Sequence, residues 1–66
     1  MIIKFATKRN IYGHRKYIAI DTNNKTYSVT PALWLCREDF IEVTMQEREK
    51  IKDEAKRDGF KEIDAL

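Results

Sequence analysis

The stretch "RKYIAIDTNNKTYSVT", residues 15–30, constrains what this chain can fold into more than any other. Ile18 and Ile20 recur at period two, as do Tyr27 and Val29, and β-branched or aromatic residues so spaced specify strands with one buried face. Between them stand Asn23 and Asn24, a pair suited to the positive φ angles of a tight hairpin turn. With that pair as a two-residue turn, Ile20 faces Tyr27 and Ile18 faces Val29. All four large apolar side chains then fall on one face, so the register is self-consistent.

"MIIKFAT", residues 1–7, reads as a strand preceding this hairpin. If Tyr12 and Gly13 centre its turn, Phe5 faces Ile20 and Ile3 faces Thr22, which extends the apolar face across three strands. A longer loop of the same parity preserves that facing. The other face then carries Lys4, Ala6, Lys8, Arg15, Tyr17, Ala19, Asp21, Thr26 and Ser28. Lys4 would stand opposite Asp21 and Lys8 opposite Tyr17, both favourable cross-strand pairs. Arg9 would stand opposite Lys16 beyond the end of the core.

Pro31 ends the third strand because it cannot donate to a ladder, and "ALWLC" after it needs a dry place to pack. "EDFIEV" alternates, with Ile41 and Val43 on one side and Phe40 and Glu42 on the other, so a fourth strand is expected. Thr44 and Glu47 form a T-x-x-E capping box that opens a helix running to about Asp58, where Gly59 supplies the stop. The helix carries a thin apolar stripe of Met45, Ile51 and Ala55, with the stem of Arg48 on the same side. Asp53 and Arg57 form an i,i+4 pair on its charged surface. In "FKEIDAL", Phe60 and Ile63 anchor a short fifth strand, which needs a right-handed crossover if it lies parallel beside the fourth. The expected fold class is α+β: a small antiparallel sheet, built from a three-stranded N-terminal meander plus a fourth strand and room for a fifth, with one C-terminal helix packed on one face. Residues 1–66 form a single domain.

A chain of 66 residues buries only about 60% of its unfolded surface, which leaves little material for an enclosed active site. Hydrophobic residues at 42% with charged residues at 36% favour a globular rather than a disordered chain. Cys36 is the only cysteine, so it has no intramolecular disulfide partner and belongs to no zinc spacing. It reads as a small buried apolar side chain. "MIIKFATKRN" lacks the features of a secretory signal, and "ALWLC" is too short to span a bilayer. The cytoplasm is the expected compartment.

Catalysis needs convergent groups, and these are scarce. His14 is the only histidine, beside Gly13 at a hairpin tip with no acid near it in sequence, and reads as a solvated turn residue rather than a general base. Glu38, Asp39 and Glu42 lack His or Cys at ligand spacing and read as a solvated charge cluster. The two glycines, Gly13 and Gly59, make no phosphate loop. No catalytic, metal or cofactor site is expected, and the chain is expected not to be an enzyme.

Two binding elements stand out instead. One is "PALWLCREDF", where Leu33, Trp34, Leu35 and Phe40 offer an apolar anchor for a protein partner or a second copy of the chain, with Arg37 and Glu38 at its rim. The plainer reading is a loop tucked beneath the helix. A non-enzymatic protein-interaction module, open to homodimerisation, is the first expectation. The other element is the basic hairpin. Residues 1–30 hold six Lys and Arg against one acid, whereas residues 31–66 hold seven against ten. Lys4, Lys8, Arg9, Arg15 and Lys16, with Tyr12 and Tyr17 for base stacking, supply what nucleic-acid binding through the hairpin and sheet face requires. Against this, cationic residues also serve solubility at exposed hairpins.

Overall fold

The computed structural model describes residues 1–31 and 39–64. Five strands and one helix follow in the order β1 (Ile2–Thr7), β2 (Tyr17–Asp21), β3 (Thr26–Ser28), β4 (Ile41–Val43), α1 (Met45–Arg57) and β5 (Lys61–Glu62). They form one sheet of spatial order β4-β1-β2-β3-β5. The fold is α+β, with an antiparallel meander at its centre. Both outer strands run parallel to their neighbours, β4 to β1 and β5 to β3, so the sheet is mixed. The fourth and fifth strands are therefore at opposite edges and are not neighbours, and α1 carries the chain from one edge to the other.

The second hairpin has the register that the apolar pattern requires, with Ile20 opposite Tyr27. Its turn differs from the expected one. Positive φ falls on Lys25, at 53°, and on neither asparagine. Asp21 is the reason: its carboxylate accepts from the backbone N–H of Asn23 and Asn24 and from Asn24 Nδ2 at 2.8 Å, which fixes the turn from its first residue. These bonds, that of the Asn24 backbone first, hold the Asp21 carboxyl below the usual carboxylate range.

The first hairpin is displaced by two residues from the register centred on Tyr12 and Gly13. Phe5 pairs with Ile18 and Ile3 with Ile20, so the apolar face is kept, as any slip of even count requires. The cross-strand pairs of the other face change. Lys4 lies opposite Ala19 rather than Asp21, and Ala6 rather than Lys8 faces Tyr17.

The helix covers the apolar face. Ile18, Tyr27 and Ala55 form the buried cluster, with Phe5, Ile20, Val29, Ile51 and Phe60 packed around it. Thr44 Oγ1 accepts from Glu47 N at 3.0 Å, and Glu47 Oε1 accepts from Thr44 N at 2.9 Å, which completes the capping box. At the other end Phe60 N donates to Ala55 O and Gly59 N to Lys56 O, a Schellman closure with Gly59 at φ 86°. It turns Phe60 back onto the core. Arg48 is buried along the apolar stripe, and its Nε donates to Tyr17 O at 3.1 Å. Met45, expected in the same stripe, is instead half exposed, as is Ile41 on β4. No helix among the described residues is long and apolar enough to cross a membrane.

Candidate nucleic-acid interface

The loop between β1 and β2, residues 8–16, is ordered by a single asparagine. At its base Thr7 N donates to Lys16 O, and Lys16 N donates to Thr7 Oγ1, both at 2.9 Å. Further out Asn10 N donates to His14 O at 2.7 Å, and Gly13 N donates to Asn10 O at 3.0 Å. The side chain of Asn10 fills the space inside this turn, where its Oδ1 accepts from Tyr12 N at 2.9 Å and His14 N at 3.1 Å. Asparagine suits the position because its short carbonyl reaches backbone N–H groups two residues ahead. Gly13, at φ 79°, takes the left-handed backbone needed to close the loop. Arg9 Nη1 then caps Gly13 O at 2.8 Å.

The consequence is an ordered tip that holds its apolar side chains in the open. Ile11 is 91% exposed and Tyr12 77%. Behind them Thr7, Lys8, Asn10, His14, Arg15, Lys16 and Met45 line an open cleft of about 400 Å³. None of these carries a carboxylate. A neighbouring cleft shares Thr7, Lys8 and Met45 and brings in Glu42 and Glu47, so the acid-free surface is bounded on that side.

The other candidate residues are divided by the structure. Lys4 Nζ is bonded to Asp39 Oδ2 at 3.2 Å. The Arg15 guanidinium lies 5.0 Å from the centre of the Phe40 ring, and its Nε is buried with no hydrogen-bond partner among the described residues. Tyr17 is half-buried, and Ala6, Ala19 and Ser28 beside it on the same face are completely buried. That face is therefore not an open stacking platform. Lys8, Arg9, Tyr12 and Lys16 are gathered on the exposed loop. Leu33, Trp34 and Leu35 lie outside the described residues, as do Cys36, Arg37 and Glu38.

Asn10 carries the geometry of the tip and Ile11 stands exposed on it, and neither residue is singled out by sequence reasoning. The signals were present: an Asn three residues before a Gly is turn chemistry, and Ile11 is an aliphatic residue inside a polar run. Chemically, the cleft is a set of hydrogen-bond donors and cations suited to holding an anion. His14 is exposed and has no carboxylate partner among the described residues, and no group of metal ligands occurs among them. No protein-family model, curated protein or solved structure matches the chain, so the geometry alone carries the functional argument.

Proposed function

We propose that the chain is a small non-enzymatic binding module whose β1–β2 loop engages nucleic acid. The observation that carries this reading is the ordered tip, with Lys8, Arg9 and Lys16 exposed around an outward Tyr12 and no carboxylate lining the adjoining cleft. Cations so gathered release counterions on meeting phosphates, and a ring held in the open stacks on a base. A loop already fixed by Asn10 loses little conformational entropy on binding.

The test is the affinity for fluorescently labelled oligonucleotides across a salt series. With Lys8, Arg9, Arg15 and Lys16 all on phosphates of a single strand, log K against log salt should fall with a slope of about −3. The triple variant K8Q/R9Q/K16Q should flatten that slope and weaken binding. Binding that is indifferent to both changes would remove the proposal.

A protein partner, or a second copy of the chain, is the second reading. Ile11 favours it, since an aliphatic side chain 91% exposed at a loop apex is suited to filling an apolar pocket. Concentration-dependent sedimentation tests the self-association form of this reading, with Ile11→Ser as the informative variant.

A further inference from the structure

The tip resolves into two parts with different chemistry, and together they specify which nucleic acid it takes. Resting on the nucleic-acid reading above, we infer that the site is built for single strands: Tyr12 stacks on an unpaired base while the cleft behind it, between Lys8 and Lys16, seats the adjoining phosphate.

The phosphate part is defined by its donors. Lys8 and Lys16 are exposed on opposite arms of the loop, and both line the cleft. Asn10 lines it too, and the orientation of its amide is set, because Oδ1 already accepts two backbone N–H groups. Its Nδ2 has no partner among the described residues and remains a donor. Arg15 lines the cleft as well and adds a guanidinium charge, its Nε buried and its Cζ 5.0 Å from the centre of the Phe40 ring. An anion placed there would meet donors and cations on several sides.

The stacking part follows from position. Tyr12 is at the apex, two residues from Asn10 and two from His14, whose backbones close the turn. Two residues of chain span at most about 7 Å, so the Tyr12 backbone lies within about 7 Å of those of Asn10 and His14, which line the cleft. A duplex hides the face of each base within its stack and shows proteins only base edges. Reading those edges calls for a bidentate side chain, most often Arg on guanine or Asn on adenine, and on this loop Arg9 already donates Nη1 to Gly13 O, Arg15 lies against the Phe40 ring and Asn10 has its oxygen committed to the backbone. What the tip presents instead is an aromatic face with an aliphatic neighbour, Ile11, which suits sequence-tolerant stacking on exposed bases.

Fluorescence anisotropy with mixed-sequence single-stranded DNA, single-stranded RNA and the matched DNA duplex, at low and physiological salt, separates the parts. The single strands should bind more tightly than the duplex. Tyr12→Ala should weaken single-strand binding by about 5- to 150-fold, and Tyr12→Phe should leave it nearly unchanged. Lys16→Gln should reduce the salt slope by about 0.7 with little change in the single-strand preference. Amide spectra of each variant establish that the fold is retained. Equal or tighter duplex binding, insensitive to Tyr12→Ala, overturns this inference and leaves the broader nucleic-acid reading standing. Absence of binding to every oligonucleotide at low salt overturns both.

Discussion

Asn10→Ala should loosen the hairpin tip while leaving the domain folded. One oxygen of Asn10 accepts two backbone N–H groups, from Tyr12 and His14, both exposed residues. Hydrogen bonds whose donors can turn to water lie at the low end of the usual range, about 0.5 kcal/mol each, so their loss costs the tip about 1 kcal/mol. The loop is separate from the Ile18, Tyr27 and Ala55 cluster, so local opening should absorb this loss. The midpoint of thermal unfolding should then fall by less than the roughly 4–8 °C that a global loss of 1 kcal/mol would give a domain of this size. Amide exchange at Tyr12 and His14 should accelerate by about 5-fold, the factor corresponding to 1 kcal/mol, while the β2 and β3 amides keep their protection. Asn10→Asp is the matched control: it retains the acceptor and the protection but adds a negative charge amid the cations, so it should weaken polyanion binding. NMR exchange at single-amide resolution reads both variants. Unchanged exchange at Tyr12 and His14 in Asn10→Ala would refute the claim that this side chain pins the tip. A midpoint drop beyond about 8 °C would show that the loop belongs to the cooperative core.

Thr44→Ala removes the hydroxyl half of the capping box, leaving the residue-44 backbone N–H to donate to Glu47, and should cost about 1 kcal/mol in thermal or denaturant unfolding, with Thr44→Ser retaining most of the stability. Tyr27→Phe removes the hydroxyl donated to Glu62 at 3.1 Å and should cost roughly 0.5–1.5 kcal/mol, because Glu62 is exposed and can turn to water. Burial, and then the Glu62 carboxylate, raise the Tyr27 pKa above its ordinary value of 10.0. Stability should therefore fall as pH rises past about 10, where the unfolded tyrosine ionises first, and the Phe variant should lose this dependence. Asp21 and Glu47 are both held below the usual carboxylate range by hydrogen bonds from backbone N–H groups. Their contribution is present at neutral pH and should disappear as pH falls below about 4 through their folded values, an effect smaller in Asp21→Asn when unfolding is followed against pH.

The parts of the fold legible in the sequence are those fixed by local chemistry. Ile18, Ile20, Tyr27 and Val29 fix the buried face of the second hairpin and the Asn23–Asn24 pair centres its register, while Thr44 with Glu47 marks where α1 starts. The first hairpin was readable only to within a slip of two. Ile3 and Phe5 stay on the face of Ile18 and Ile20 in either alignment, with only the partners changing, so the in–out pattern does not distinguish them. Loop closure decides the matter, and it depends on what the Asn10 side chain bonds to, which spacing does not reveal. The placement of β4 and β5 at opposite edges is a long-range property, with nothing in "FKEIDAL" to name β3 as its neighbour. For the candidate site, counting cations selects Lys8, Arg9 and Lys16, which the loop exposes. It also selects Lys4, which is tied to Asp39, a pairing across distant segments that the sequence does not display.

The two hairpins of the sheet provide a comparison that bears on whether the tip has a function. The β2–β3 connection, Thr22–Lys25, is wholly polar and is fixed by the neighbouring Asp21. Solubility explains such a turn completely. The β1–β2 loop is equally well fixed, yet it places Ile11 and Tyr12 in water at 91% and 77% exposure. Neither residue belongs to the core cluster or to the partly buried side chains around it. Folding therefore gains nothing evident from their side chains, and an exposed aliphatic–aromatic pair is an association hazard that a solubility tip would avoid. The double variant I11S/Y12S isolates this point. Because both positions are exposed and outside the core, its unfolding free energy should lie within about 0.5 kcal/mol of the parent, measured by denaturant titration. Its affinity for single-stranded oligonucleotides should fall at least as far as that of Tyr12→Ala. A loss of more than about 1 kcal/mol of stability would place the two side chains among the determinants of the fold, and their exposure would then no longer argue for a ligand. Unchanged stability with unchanged binding would instead leave the pair without either role and return the search to the cations alone.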